Sequence, residues 1–276
     1  MIEINNINKS FGKNDVLKNI SFYFERGKTN LIIGESGSGK TTLLRILIGL
    51  HKIDSGNILY DGRDFTQLQI KEKRKLRQEI GVLFQRGALY DFMNVEENIM
   101  FPLTMFTNNS EEEKLERVND CLKRVNLENC NNLKISELSG GMVKRVSIAR
   151  AIVMNPNYLL CDEPNSGLDP KTAIIIDNLI KEITEESNIT TIVNTHDMNS
   201  VMEIGEKIAY INNGKISWSG NKDELLQTNN EQLNDLNIKL RTITLPSDRT
   251  GKNFYEASGI TARILLMEEK RDNNRY

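Results

Sequence analysis

Residues 34–41 read GESGSGKT, a full match to G-x-x-x-x-G-K-[ST]. The apolar run TNLIIG (29–34) precedes it, and TTLLRILIGL (41–50), apolar at helical spacing, follows it. This combination restricts the fold more than any other segment. It asks for a buried strand, an abrupt helix start, and a turn between them that opens its backbone amides onto one point. Gly34, Gly37 and Gly39 supply the conformational freedom for that turn, with Glu35, Ser36 and Ser38 at the variable positions. Inward-pointing N–H groups form an anion nest, and the helix N-terminus adds its dipole and unpaired amides. A phosphate group fits such a cradle. Lys40 is positioned to bring a point charge to the β- and γ-phosphates of a nucleotide, and Thr41, followed by Thr42, to offer a hydroxyl to Mg²⁺.

The 276 residues are enough to bury a substantial core without disulfides. A net charge of -2 and a pI near 5.9 give no basic bias, so nucleic acid is not an expected partner. Cys121, Cys130 and Cys161 are scattered, odd in number and without metal-ligand spacing, which reads as reduced thiols. The polar start, MIEINNINKSFG, carries no signal-peptide core. No run approaches the roughly 18 apolar residues of a membrane helix. A link to a membrane is therefore expected through a partner.

Strand patterns at 2–7, 20–24, 29–34, 80–85, 157–164 and 190–197 alternate with helical ones at 41–50 and 171–186. Hairpins are expected at 56–65 and 206–220, turning on Asp61-Gly62 and Asn213-Gly214. A mainly helical insert runs from about 93 to 155, with Ser110 and Glu113 spaced as a capping box. The expectation is an α/β fold with a mostly parallel sheet and flanking helices, an antiparallel β subdomain near the N-terminus and an α-helical subdomain. Residues 1–240 form the domain; 241–276 are an extension of unknown role, with 260–270 able to form a short amphipathic helix.

The strand NYLLCDEP ends in Asp162 and Glu163. Coupled to the phosphate cradle, Asp162 is the candidate for the Mg²⁺ shell and Glu163 for the base that orients or deprotonates the attacking water. A guanine-reading Asn-Lys-x-Asp is missing, since Asn221-Lys222 is followed by Asp223-Glu224. The run ELSGGMVKRVSIARAI (137–152) decides among phosphate-loop proteins. It places Ser139, Gly140 and Gly141 at the start of a helix, a second phosphate-binding surface.

This run resembles the signature of the ABC ATPases, and the resemblance covers residues 1 to about 220 with its motifs in order. It implies a head-to-tail homodimer in which the signature of one copy closes over the ATP of the other. It further implies that Phe11 stacks on adenine with Val16 beside it, that Gln85 contacts Mg²⁺ or water and senses the transporter, that His196 faces the γ-phosphate, and that Asp169 couples the two sites. Met142 and Gly167 depart from commoner Gln and Ala without removing a catalytic group. His51, the other histidine, reads as an exposed, idle loop residue. Transmembrane permease subunits are the implied partners, docking at 86–98, and the implied location is the cytoplasmic face of the inner membrane.

Residues 84–103, the Met-containing signature, DEPNSGLDP with THDMNSV, and NEQLNDL (230–236) together look like the Mla/Mce-type ATPases of phospholipid transport, which implies an MCE-type lipid-binding partner. A soluble assembly ATPase of the iron–sulfur cluster type, or a transporter ATPase for another cargo, shares the ATP motifs and stays open as an alternative. Glu163, Gln85 and His196 argue against an ABC protein that binds ATP without turnover, and the lack of a long heptad insert against a chromosome-organising one.

Overall fold

The computed structural model describes residues 1–227 and Leu233. The expectations for 241–276, and for 230–236 apart from Leu233, fall outside the described residues.

Two sheets carry the fold. Strands β1 (Ile2–Phe11) and β2 (Asn14–Phe24) pair antiparallel from Ile2↔Phe24 to Phe11↔Asn14. With β4 (Ser55–Tyr60) and β5 (Arg63–Asp64) they form a four-stranded antiparallel sheet in the order β2-β1-β4-β5. Asp61 and Gly62 both take positive φ (46° and 79°), as the two-residue hairpin turn requires. The second sheet, in the order β10-β9-β3-β8-β7-β6, contains β3 (Thr29–Ile33), β6 (Ile80–Leu83), β7 (Tyr158–Asp162), β8 (Thr190–Thr195), β9 (Lys207–Asn212) and β10 (Lys215–Gly220). Its strands run parallel except for β10, which returns antiparallel through Asn213-Gly214. Strands β3, β7 and β8 are buried at every residue, because both faces of a parallel sheet are covered.

The helices are α1 (Lys40–Leu47), α2 (Ile70–Gln78), α3 (Val95–Phe106), α4 (Glu111–Arg124), α5 (Gly140–Ile152), α6 (Pro170–Glu186), α7 (Met198–Ile204) and α8 (Lys222–Gln227). The capping box of α4 forms as the spacing predicted: Ser110 Oγ accepts from Glu113 N, and the Glu113 carboxylate from Ser110 N. Helix α1 ends earlier than its apolar run, since Gly49 (φ 76°) stops it. Helix α2 has no counterpart in the sequence expectations. Its IKEKRKLRQ buries only Leu76, so no apolar stripe marks it. Strand β2 begins well before the expected 20–24, because its alternation is masked by polar residues on the open face.

The main core joins both sheets. Ile2, Ile4, Ile7, Ile20 and Phe24 of the antiparallel sheet meet Leu43, Leu44 and Leu47 of α1, with Tyr158, Leu160 and Ile192 of the parallel sheet in the same cluster. Each such side chain contributes about 1.5–3 kcal/mol of burial. The result is a firm seat for α1 and for the loop that leads into it.

Candidate functional site

Strand β3 lies in the middle of the parallel sheet, between β8 and β9, and the loop 34–39 leaves its C-terminal end, where open α/β sheets bind ligands. The loop is tightly fitted. A Cβ at Gly34 (φ 153°) would stand 2.3 Å from the Ile211 carbonyl oxygen, and one at Gly39 (φ 110°) 2.7 Å from Leu17 Cδ2 and 3.6 Å from Val16 Cγ1. Lys40 folds back into the loop, donating to Gly34 O at 2.7 Å and Glu35 O at 3.0 Å. Burial pushes its ammonium pKa down, and the carboxylates of Glu163, Asp162 and Glu35 pull the other way. Ser38 Oγ is buried without a hydrogen-bond partner among the described residues. An orphaned hydroxyl beside a compact cationic loop suits a bound phosphate.

Next to the loop, Thr41 Oγ1 donates to Asp162 Oδ1 at 3.2 Å. Asp162 ends β7 and is 7% exposed. A hydroxyl and a carboxylate at this spacing are the hard oxygen donors that Mg²⁺ takes, so the residues fit that ion. The same Oδ1 accepts from Asn194 Nδ2 at 3.2 Å, and Asn194 O accepts from Glu163 N at 3.0 Å. Glu163 takes a positive φ of 50°, uncommon outside glycine, which turns the chain sharply after β7. Its carboxylate lies 2.8 Å from His196 Nδ1, just beyond the end of β8. The parallel pairing of β7 with β8 brings these two together.

Gln85, past the end of β6, donates from Nε2 to Ser166 Oγ at 3.3 Å, in the loop that follows Glu163. Phe11 is 45% exposed at the end of β1, as a stacking platform has to be. Its ring meets His51 edge-on at 5.2 Å, and His51 is half-buried rather than exposed as its loop position suggested. The Lys9 ammonium sits 5.2 Å from the Phe11 centroid.

The signature lies elsewhere in the chain. Ser139 caps α5 by accepting from Met142 N, and Ser139 and Gly140 are exposed. Gly141 is buried, with Thr172 Cγ2 2.7 Å from where a Cβ would stand. Thr172 in turn donates to Asp169, the cap of α6, which joins that acid to the signature. Helix α1 packs on β2, β7 and β8, and α5 on α3, α4, α6 and β6, so the two helix tips expected to bind phosphate belong to different parts of the fold.

Sequence reasoning missed Asn194, Lys144 and Arg150. Lys144 Nζ donates to Gln85 O. Arg150 donates to Gly87 O at 2.7 Å and Ala88 O at 2.8 Å. Asn194 stands two residues before His196 on a buried strand, and a polar residue in that position was the available signal.

Residues 17–166 match the family model described as ABC transporter. The methionine import ATP-binding protein MetN of Clostridioides difficile is 39% identical over 255 residues, covering 92% of this chain and 79% of the relative. MetN of Clostridium tetani is 42% identical, covering 82% and 70%. Among solved structures, the dimeric MJ0796 cassette is 36% identical with a TM-score of 0.74, covering 80% of this chain and 98% of that one. A second MJ0796 dimer, in a post-hydrolysis state bound to ADP and Pi, is 35% identical with a TM-score of 0.73 and the same coverage. The two MetN relatives correct the lipid expectation: they are methionine import ATP-binding proteins, and they give no support to lipid cargo or an MCE-type partner. The physical reason is that residues 84–103, the signature and the DEPNSGLDP and THDMNSV runs carry nucleotide-site motifs of the whole family, which do not encode cargo. The fold, the phosphate loop and the family match agree, and the chain belongs to the ABC transporter family as an ATP-hydrolysing subunit.

Proposed function

We propose that the chain powers an importer of methionine or a closely similar small solute, as a head-to-tail homodimer beneath transmembrane permease subunits. The observation that carries the cargo reading is the run of methionine-import relatives, each covering at least 70% of the relative's own length among the two compared above. The carboxylate–imidazole pair of Glu163 and His196 at 2.8 Å, next to Lys40, supports turnover rather than mere binding.

In this reading the amides of residues 34–40 and the Lys40 ammonium hold the β- and γ-phosphates of ATP. Thr41 and Asp162, with Gln85 contributing, would hold Mg²⁺, which when bound neutralises charge on the phosphate oxygens. Glu163 accepts the proton of a water in line with the γ-phosphate, and His196 orients that carboxylate and offsets charge on the transferred group. Phe11, with Val16 beside it, supports the adenine. The exposed Ser139 tip of one copy closes on the phosphate held by the other, with Gly140 and Gly141 letting the backbone approach and Asp169 bracing the joint.

The test is uptake of labelled methionine into vesicles holding the chain and its permease, driven by internal ATP. Uptake is expected with the wild type. With Glu163→Gln it should fall about a hundredfold or more, while ATP stays bound and the dimer is trapped. Wild-type turnover in Glu163→Gln would remove the base assignment. ATP-driven uptake of a different solute class with none of methionine would remove the cargo reading.

A further inference from the structure

Behind the hydrolytic pair lies a polar cluster with no part in the chemistry above. Asp177 is on the inner face of α6 and 2% exposed; Asn165 is 7% and Ser200 0% exposed. The Asn165 amide donates to Asp177 Oδ2 at 3.0 Å and to Ser200 Oγ at 2.8 Å. Asp177 Oδ1 is buried with no hydrogen-bond partner among the described residues. Its neighbours along the face, Ala173, Ile176 and Ile180, are apolar, and an apolar residue would pack there at no electrostatic cost. The acid is costly in this position. Burial pushes its carboxyl up to about 7; the charges of Asp197 and Glu203 around α7 add to that, while Ser200 and Asn165 pull the other way. Cys161 of β7 also faces it, with a thiol that burial pushes far up.

What the cluster spans is specific. Asn165 follows Glu163 by two residues, and Ser200 follows His196 by four, on α7. We propose that Asp177 is a positioning residue: through Asn165 it ties the turn bearing Glu163 to the helix that follows His196, and so keeps the carboxylate–imidazole contact in register. This rests on Glu163 and His196 being the hydrolytic pair. The ionised carboxylate is the stronger acceptor, so the clasp tightens as pH rises through neutrality.

The test is steady-state ATP hydrolysis across neutral pH by the full chain. Asp177→Ala should lower kcat about tenfold with KM for ATP within about twofold, the loss of one charge-assisted hydrogen bond. Asp177→Asn keeps an acceptor for Asn165, so it should recover most of the rate and flatten the rise in kcat through pH 7. A folded Asp177→Ala with wild-type kcat and pH profile overturns the proposal. If that variant does not fold, Ser200→Ala and Asn165→Ala take its place, and unchanged kcat in both overturns it equally. Glu163→Gln runs alongside: full turnover there sinks the pair itself, whereas its loss together with an unaffected Asp177→Ala sinks only the positioning role.

Discussion

Within one loop, two glycines behave differently. Gly34 (φ 153°) has no room for a Cβ, which would stand 2.3 Å from the Ile211 carbonyl oxygen and 2.8 Å from Ser38 Oγ. Gly37 (φ 82°) has open space around it, so only its backbone conformation resists a side chain. Gly34→Ala is therefore expected to cost on the order of 3 kcal/mol and to abolish nucleotide binding, and Gly37→Ala about 1 kcal/mol. Thermal denaturation and a fluorescent-nucleotide titration of both variants check this. Equal effects would show that the contact with Ile211 does not matter. At this scale the sequence was most informative where function depends on adjacency. Lys40 follows the glycines, and Asp162 and Glu163 follow a buried strand, so each position could be read from its neighbours. Asn194 offered only its polarity on a buried strand, and Asp177 no such signal, because their meaning comes from contacts 32 and 12 residues away along the chain.

Helix α5 does more than present the signature. Ser147, Lys144 and Arg150 line up on one side of it and meet the segment after β6: Lys144 at Gln85 O, Ser147 against Gly87, and Arg150 at the Gly87 and Ala88 carbonyls. Gly87 and Ala88 both take positive φ, a bend that the arginine fork holds from outside. Burial also pushes the Arg150 pKa down, so removing its carbonyl partners or its charge is felt locally. Arg150→Ala should cost about 2 kcal/mol, a drop in Tm of roughly 4–8 °C, and Arg150→Lys should recover only part of it. An unchanged Tm in Arg150→Ala would mean the bend is held by other contacts. Elements with a clean period were legible: the strands of the parallel sheet, the capped α4 and both Asn/Asp-Gly hairpins. Helix α2 was not, because IKEKRKLRQ is charged on nearly every side and its only burial is Leu76.

On the whole-molecule scale, several of the apolar residues left open fall within residues 90–106. Tyr90 and Phe92 are 38% and 81% exposed, their rings 5.6 Å apart, and Phe101 backs Tyr90 at 5.1 Å. Met105 and Phe106 at the end of α3 are exposed as well. A patch of this kind between β6 and α3 suits a permease coupling segment. Tyr90→Asp should leave ATP binding intact and abolish co-purification with the permease; undiminished co-purification would place the docking elsewhere. The architecture was legible because each sheet announces itself locally. The cargo was not, since no residue of an ATP-hydrolysing subunit has to touch it, and resemblance in the motif-bearing segments misdirected the reading. The three cysteines complete the picture of what is closed. Cys121, Cys130 and Cys161 are all free and buried, with burial raising each thiol above its usual range. Unmodified, the folded chain offers alkylating reagents no ready target. A single cysteine placed at the open Phe92 position would thus accept a maleimide dye or spin label alone, giving a reporter on the surface proposed to meet the permease without first stripping the protein of its own sulfhydryls.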